Sequence, residues 1–109
     1  MSVTIQISDN LAQHLKQLMI GQAIEIDQKL SSLLQSEYRR RLARYGVTDR
    51  QLQQKYGMTF AEFEQQHMVE QKNYAWEVES DAIAWETAVD GIETTQRQLT
   101  DLLYANANN

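Results

Sequence analysis

The absence of proline is the feature that most restricts how this chain can fold. Its 109 residues contain no proline and only four glycines, at positions 21, 46, 57 and 91. Folds with many tight β-turns depend on these two residue types, because each favours backbone angles that other residues adopt poorly. An all-β fold is therefore disfavoured, and we expect a small protein that is mainly α-helical.

The residue types that most enzymes use are absent or badly placed. There is no cysteine, which excludes disulfides, thiol catalysis and cysteine-ligated metal sites. The chain has no glycine-rich phosphate loop, and no serine lies in the context of a nucleophile elbow. We therefore expect no enzymatic activity and no cofactor.

One segment has the pattern of a β-strand. Residues 2–8 alternate strictly, with Val3, Ile5 and Ile7 on one face and Thr4 on the other. No second strand is predicted in the chain, and a single strand needs a partner for its backbone hydrogen-bonding groups. The same strand of a second copy is the simplest partner, so this pattern predicts a homodimer with one strand per chain.

The rest of the chain has the apolar spacing of amphipathic helices. Helices are predicted from about residue 9 to Gly21, from Glu25 or Asp27 to Tyr45, over 60–74 and over 82–103. A short segment capped by Thr48 or Asp49, over about 49–56, is predicted to end at Gly57. Ser8 or Asp9 is the expected cap of the first helix, and the glycines at 21 and 46 are expected to end the first two helices. The last helix places Trp85, Ile92 and Leu99 seven residues apart, as in the seam of a coiled coil.

The best-marked helix start follows Gly57. Thr59 and Glu62 have the spacing of a capping box, and Met58 and Phe63 have the spacing of a hydrophobic staple. Both patterns predict that a helix begins immediately after Thr59.

Charge is unevenly divided along the chain. Residues 1–57 carry eight basic and five acidic residues, whereas residues 58–109 carry two basic and ten acidic residues. This asymmetry suggests two surfaces with different partners. The basic half, which includes Arg39 and Arg40, suits phosphate, and the acidic half suits a basic protein. The alternative is that the arginines form one solvated turn and that the division has no functional meaning.

Residues 2–45 resemble the ribbon-helix-helix family. The matching stretches are VTIQIS, DNLAQHLKQLMIGQ and AIEIDQKLSSLLQSEYRRRL. In that family one strand from each chain pairs antiparallel, and the outward side chains enter the major groove of DNA. The resemblance implies that Thr4 and Gln6 contact bases, with Ser8 at the margin, and that backbone amides near Ala23 bind phosphate.

Many members of this family with acidic C-terminal extensions are antitoxins, and the charge division resembles theirs. The resemblance implies a dimer that binds its own operator DNA and an extension that sterically blocks a toxin protein. The chain then divides into a dimerisation and DNA-binding unit (1–46), an acidic partner-binding extension (47–105) and a disordered tail (106–109). The residues expected to contact the basic toxin are aromatic or acidic: Phe60, Phe63, Trp76, Glu77, Glu79, Asp81 and Trp85.

Two alternatives stay open. Residues 2–8 contain no Lys or Arg, and Glu25 lies where phosphate would approach, which favours a homodimeric interaction module without DNA binding. The other alternative is a helical bundle that binds a metal or small molecule through Glu64, His67 and Glu70. It rests on the Glu-x-x-His spacing, which places both side chains on one helix face.

The sequence also bears on the compartment. The first ten residues, MSVTIQISDN, have neither the basic region nor the apolar core of a signal peptide. No apolar run reaches the roughly 18 residues that span a bilayer. We therefore expect a cytoplasmic protein that does not enter a membrane.

Overall fold

The computed structural model describes residues 2–19 and 26–107. These residues form five helices: α1 (Asp9–Met19), α2 (Ile26–Tyr56), α3 (Phe60–Gln65), α4 (Met68–Gln71) and α5 (Trp76–Ala107). The prediction of a mainly helical protein is confirmed, and no strand occurs among the described residues. The chain divides into two compact units, of which the first ends at Leu33 and the second begins at Leu34, within α2.

The segment with the strand pattern lies outside the helices of the first unit. Residues 2–8 have no regular secondary structure, and all of them are exposed. A lone strand cannot satisfy its backbone hydrogen-bonding groups. The ribbon therefore stays a prediction that concerns two copies of the chain.

Helix α1 begins at a serine cap. The hydroxyl oxygen of Ser8 accepts a hydrogen bond from the Leu11 amide at 3.2 Å, and its carbonyl accepts one from the Ala12 amide at 2.9 Å. Ser8 rather than Asp9 is therefore the capping residue. The predicted helix end at Gly21 lies outside the described residues.

Helix α2 is longer than the sequence predicts. It is a single helix of 31 residues that runs through Gly46, so the predicted helix end there and the predicted separate segment over 49–56 are both wrong. A glycine inside a helix costs only about 1 kcal/mol relative to alanine, and packing on both sides of Gly46 outweighs that cost. Gly57, with a φ of 66°, does follow the end of the helix as predicted. The division of function at residue 46 stays a prediction.

The second half of α2 and helix α5 lie side by side in opposite directions. Tyr45 of α2 lies against Gly91 of α5, and Tyr56, further along α2, bonds to Asp81, which is earlier in α5. A β-carbon at Gly91 would lie 2.5 Å from the Tyr45 ring. The glycine therefore allows an approach of the two helices that any larger residue would obstruct.

The seam predicted on the last helix is the least exposed face of α5. Trp85, Ala88 and Thr95 are buried, and Ile92 and Leu99 are partly buried. These positions recur every three or four residues, which keeps them on one side of a helix.

Helix α5 extends beyond its predicted limits at both ends. It begins at Trp76, six residues before the predicted start at residue 82. Glu77 lies in the first turn, where the positive end of the helix dipole favours an acidic residue. The helix continues to Ala107, into the first half of the predicted tail, and the last two residues lie outside the described part of the chain.

Helix α3 begins as predicted. The hydroxyl oxygen of Thr59 accepts a hydrogen bond from the Glu62 amide at 3.2 Å, and the Glu62 carboxylate accepts one from the Thr59 amide at 3.0 Å. These two bonds form the capping box. The hydrogen bonds from Thr59 lower the pKa of the Glu62 carboxyl. Phe63 is buried and Met58 packs against the same core, as expected for a staple.

The single helix predicted over 60–74 does not form. Helix α3 ends at Gln65, and His67 has the left-handed backbone conformation, with a φ of 52°. Helix α4 then ends where the Asn73 amide bonds to the Glu70 carbonyl and the following amide bonds to the Val69 carbonyl. This is the Schellman arrangement, with asparagine in the position that glycine occupies most often.

Packing explains the interruption. An unbroken helix over 60–74 would be roughly 22 Å long at 1.5 Å per residue, and its end would lie far from the core. The breaks at His67 and Asn73 instead turn the chain, so that Met68 and Val69 pack against the core cluster. The free energy gained by burying these side chains outweighs the cost of a left-handed non-glycine residue, which is about 1–2 kcal/mol.

Candidate partner-binding surface

The aromatic residues of the second unit are divided between the core and the surface. Trp85 and Phe63 are 0% and 2% exposed, and their ring centroids lie 5.1 Å apart. Tyr56 and Phe60 pack around them, and the Trp85 indole nitrogen donates a hydrogen bond to Asp49 at 2.8 Å. Trp85 is thus fully enclosed by the chain's own residues and Phe63 almost fully, so neither offers the exposed surface that the prediction requires, although Phe63 lines a cavity. Phe60 is partly buried at the edge of the same cluster.

Trp76 lies on the outside of α5. Its side chain is 80% exposed, and that of Ile83 is 66% exposed. Seven residues make almost two helical turns, so these side chains share one face of the helix. Trp76 is therefore the most exposed of the predicted aromatic contacts. The sequence reasoning missed Ile83, although its spacing from Trp76 and its place outside the seam could have identified it.

Acidic residues lie along the same face of α5. Glu79, Glu86 and Asp90 follow Trp76 and Ile83 at helical spacing, and we call these five residues the outer strip. Among the ion pairs of the described residues, none includes a carboxylate of the outer strip. The strip thus presents two apolar side chains among three uncompensated negative charges.

Two predicted acidic contacts, Glu77 and Asp81, are bonded within the chain. The Lys55 ammonium donates to Glu77 and to Asp81, each at 2.6 Å, and the Tyr56 hydroxyl donates to Asp81 at 2.6 Å. Desolvation raises the pKa of the Asp81 carboxyl, but these hydrogen bonds outweigh it and the net shift is downward. Burial, together with the hydrogen bond to Asp81, raises the pKa of Tyr56 to about 12. Asp81 therefore joins α5 to α2, and Glu77, which is exposed, is the better placed of the two for a partner.

A cavity of about 380 Å³ opens between α3, α4 and α5. Its lining includes aromatic residues, acidic residues and one histidine: Phe60, Phe63, Tyr74, Glu64, Glu70, Glu86 and His67. Glu86 belongs both to this cavity and to the outer strip, so the two features are continuous. The cavity forms beside the turns at His67 and Asn73, and its only signal in the sequence is the grouping of Glu64, His67 and Glu70.

The residues predicted to contact DNA belong to both compact units. Thr4 and Gln6 are exposed in the segment without secondary structure. Ser8 is exposed, but its hydroxyl caps α1. The predicted phosphate contact Ala23 lies outside the described residues.

The two predicted arginine contacts, Arg39 and Arg40, are exposed on α2 in the second unit. Arg40 and its neighbour Arg41 form ion pairs with Glu37, at 2.6 and 3.2 Å. Hydrogen bonds from Arg41 and Arg40 lower the pKa of the Glu37 carboxyl. One carboxylate thus offsets part of the positive charge of this turn of α2.

The three residues of the remaining alternative, Glu64, His67 and Glu70, all line the cavity, but they do not form the helix face that a metal-binding bundle needs. Because His67 lies between α3 and α4, Glu64 and His67 do not share a helix face as that hypothesis requires. Within residues 2–19 and 26–107, no group of three or more histidine, aspartate or glutamate side chains is arranged to hold a metal ion.

Comparisons with known proteins give the chain no relative. No family model matches it, and neither a curated protein nor a solved structure does. None of the described helices is long and apolar enough to cross a membrane. The function must therefore be argued from the chain's own residues.

Proposed function

We propose that this protein is a non-enzymatic, antitoxin-like regulator that binds a basic protein through the outer strip of α5. In the same proposal, two copies associate through residues 2–8 and bind operator DNA. The observation that carries the proposal is the exposure of Trp76 and Ile83 on an acidic helix face.

The outer strip has the chemistry of a protein interface. Large exposed apolar side chains rimmed by charge mark such sites, and tryptophan is the residue most enriched among those that dominate binding energy. The core of the second unit is complete without Trp76 and Ile83, because neither belongs to the buried cluster or to its packed rim. A toxin with a positive surface would pair with Glu79, and the bulk of α5 would block access to the toxin's active site.

The N-terminal segment supplies the argument for a dimer that binds DNA. Its apolar side chains are exposed, Ile5 to 73%, and pairing with a second copy would bury them on one side of the ribbon. Thr4 and Gln6 would then face outward together. A glutamine amide bonds adenine at two points in the major groove, which makes Gln6 the proposed reader of sequence.

A second candidate is the same dimer without DNA binding. Residues 2–8 contain no Lys or Arg, and phosphate neutralisation supplies much of the affinity of DNA-binding proteins. In the second unit, Glu37 offsets part of the charge of Arg40 and Arg41. In this candidate the ribbon serves association alone.

Fluorescence anisotropy separates the two candidates. The protein is titrated into DNA from upstream of its own coding region and into a scrambled duplex, each at two salt concentrations. The regulator predicts preference for its own DNA, lost in Gln6→Ala and kept in Gln51→Ala, an exposed glutamine of α2. If the protein binds neither duplex at low salt, the second candidate, a dimer without DNA binding, is favoured.

Co-expression with the protein encoded beside it tests the outer strip. Trp76→Ala should abolish co-purification of that protein, whereas Leu103→Ala, an exposed apolar residue on another face of α5, should leave it intact. Unchanged co-purification with Trp76→Ala would contradict binding through the outer strip.

A further inference from the structure

We propose that the cavity between α3, α4 and α5 receives an arginine side chain of the basic protein partner. This inference rests on the proposed function, because it names the chemical group that the partner presents. It also concerns a site of its own, since the cavity can be tested with arginine alone.

The size of the cavity fits one long side chain. Its volume of about 380 Å³ is near the lower end of the range of about 300–1,000 Å³ that ligand pockets occupy. Glu86 lines the cavity and also belongs to the outer strip. A partner that covers Trp76 and Ile83 therefore lies beside the cavity.

The wall of the cavity has the chemistry that a guanidinium group requires. The aromatic residues Phe60 and Tyr74 line the cavity, and a planar cation stacks favourably on an aromatic ring. Glu64, Glu70 and Glu86 all line the cavity, and no ion pair of the described residues includes them. Their negative charges attract a cation to the cavity.

Other occupants fit less well. A neutral apolar side chain would desolvate the carboxylates without giving them a hydrogen-bond partner, which costs free energy of binding. Lysine would satisfy one carboxylate as a point charge, whereas the fork of arginine bonds a carboxylate at two points while its plane lies on a ring. The chemistry of the wall therefore favours arginine.

A titration monitored by amide NMR of the full chain tests this inference. The probes are N-acetyl-arginine methylamide and its citrulline counterpart, which has nearly the same shape without the charge. Arginine should shift the amides of residues 64–70 and 82–86, and citrulline should bind at least about fivefold more weakly, because charge-assisted hydrogen bonds are roughly twice as strong as neutral ones. Equal shifts from both probes, or shifts confined to other residues, would overturn the inference.

Paired variants locate the binding. Glu86→Gln should weaken arginine binding about fivefold. Asp90→Asn, which removes a charge one turn further along α5 and outside the cavity, should leave it nearly unchanged. Circular dichroism at the same temperature shows whether each variant keeps its helices. An equal loss in both variants would mean that only the overall charge of α5 matters.

The outcome is separable from that of the proposed function. If Trp76→Ala abolishes co-purification of the neighbouring protein but arginine does not bind, the cavity inference fails and the outer strip stands. If arginine binds and Trp76→Ala has no effect, the cavity stands and the proposed function fails.

Discussion

At the scale of single residues, Trp85 shows how a large ring is buried together with its polar atom. The ring is inaccessible to solvent, and its indole nitrogen donates to Asp49 at 2.8 Å. Asp49 also accepts a hydrogen bond from Gln53 at 3.1 Å. The sequence suggests Thr48 or Asp49 as the cap of a short segment, but in the structure the Asp49 carboxylate lies within α2 and accepts the hydrogen bond of the buried Trp85 indole.

We expect Asp49→Ala to lower the free energy of unfolding by about 1–3 kcal/mol, because the buried indole N–H would lose its acceptor. Asp49→Asn should cost less, since its side-chain oxygen can still accept. Urea unfolding followed by circular dichroism measures both. If the alanine and asparagine variants were equally stable, the hydrogen bond to Trp85 would not matter to stability.

Two glycines inside helices should respond in opposite ways to alanine. Gly91→Ala should destabilise the protein, because the new β-carbon would lie 2.5 Å from the Tyr45 ring. At Gly46 the new β-carbon would meet only the flexible end of Arg50, at 3.1 Å. Gly46→Ala should therefore gain up to about 1 kcal/mol of helix propensity. The midpoints of thermal unfolding should move down for Gly91→Ala and up for Gly46→Ala, and the same direction in both would contradict the packing described.

At the scale of elements, the short helices α3 and α4 are held by their ends. Six and four residues are too few for stable helices in isolation. The capping box at Thr59 and the adjacent hydrophobic staple stabilise α3, which is too short to be stable through its own backbone hydrogen bonds alone. The left-handed residues His67 and Asn73 then return the chain to the core.

Thr59→Ala should cost about 1 kcal/mol, the usual value of an N-cap. Thr59→Ser keeps the hydroxyl and should cost less. Chemical unfolding measures the difference. A loss in Thr59→Ser as large as that in Thr59→Ala would show that the methyl group, and not the cap, is responsible.

The contact between α2 and α5 around Lys55 should make stability depend on alkaline pH. The pKa of Tyr56 is raised from 10.0 to about 12 in the folded chain, so its contribution is complete below pH 10 and is lost as the pH rises toward 12. Hydrogen bonds from Lys55 to Asp81 and Glu77 raise the pKa of Lys55, which acts in the same direction. Stability should therefore fall across this range.

The variant Tyr56→Phe isolates the tyrosine in this pH dependence. Its stability should fall less steeply between pH 10 and 12, because the variant lacks the Tyr56 hydroxyl, whose pKa is raised in the folded chain. Tyr38→Phe, which removes a hydroxyl elsewhere on the same helix, serves as the control. Unfolding curves at several pH values give both slopes, and identical slopes would exclude a role for Tyr56.

At the scale of the whole molecule, the prediction for residues 2–8 concerns the association of two copies of the chain. In the proposed ribbon Ile5 is buried and Thr4 is exposed, so the same acidic change should act differently at the two positions. Ile5→Asp should give a monomer in sedimentation equilibrium, because the ribbon would bury an unpaired charge. Thr4→Asp should keep the mass of two chains. A monomeric parent protein would contradict the dimer, and dissociation by both variants would contradict the assigned faces.

How far the sequence determines this protein can be judged from particular elements. The lack of proline determined that the chain is mainly helical. The pattern at Thr59 and Glu62 determined where α3 begins, and the apolar spacing determined which face of α5 points inward. These features arise from neighbours in the chain, so local propensity and hydrogen bonding suffice to predict them. The exposure of Trp76 can be predicted only in part from the sequence, because Trp76 does not belong to the seam of α5.

Tertiary packing decided the remainder. Gly46 ends a helix by local rules, yet α2 continues because residues on both sides of it pack against α5. The segment 60–74 has helical spacing, yet it breaks at His67 because only a turned chain brings α4 onto the core. Burial of Phe63 and Trp85, and the cavity beside them, depend on contacts between residues far apart in the chain. Such contacts contribute several kcal/mol, whereas local preferences contribute about one, and so packing overrides them where the two conflict.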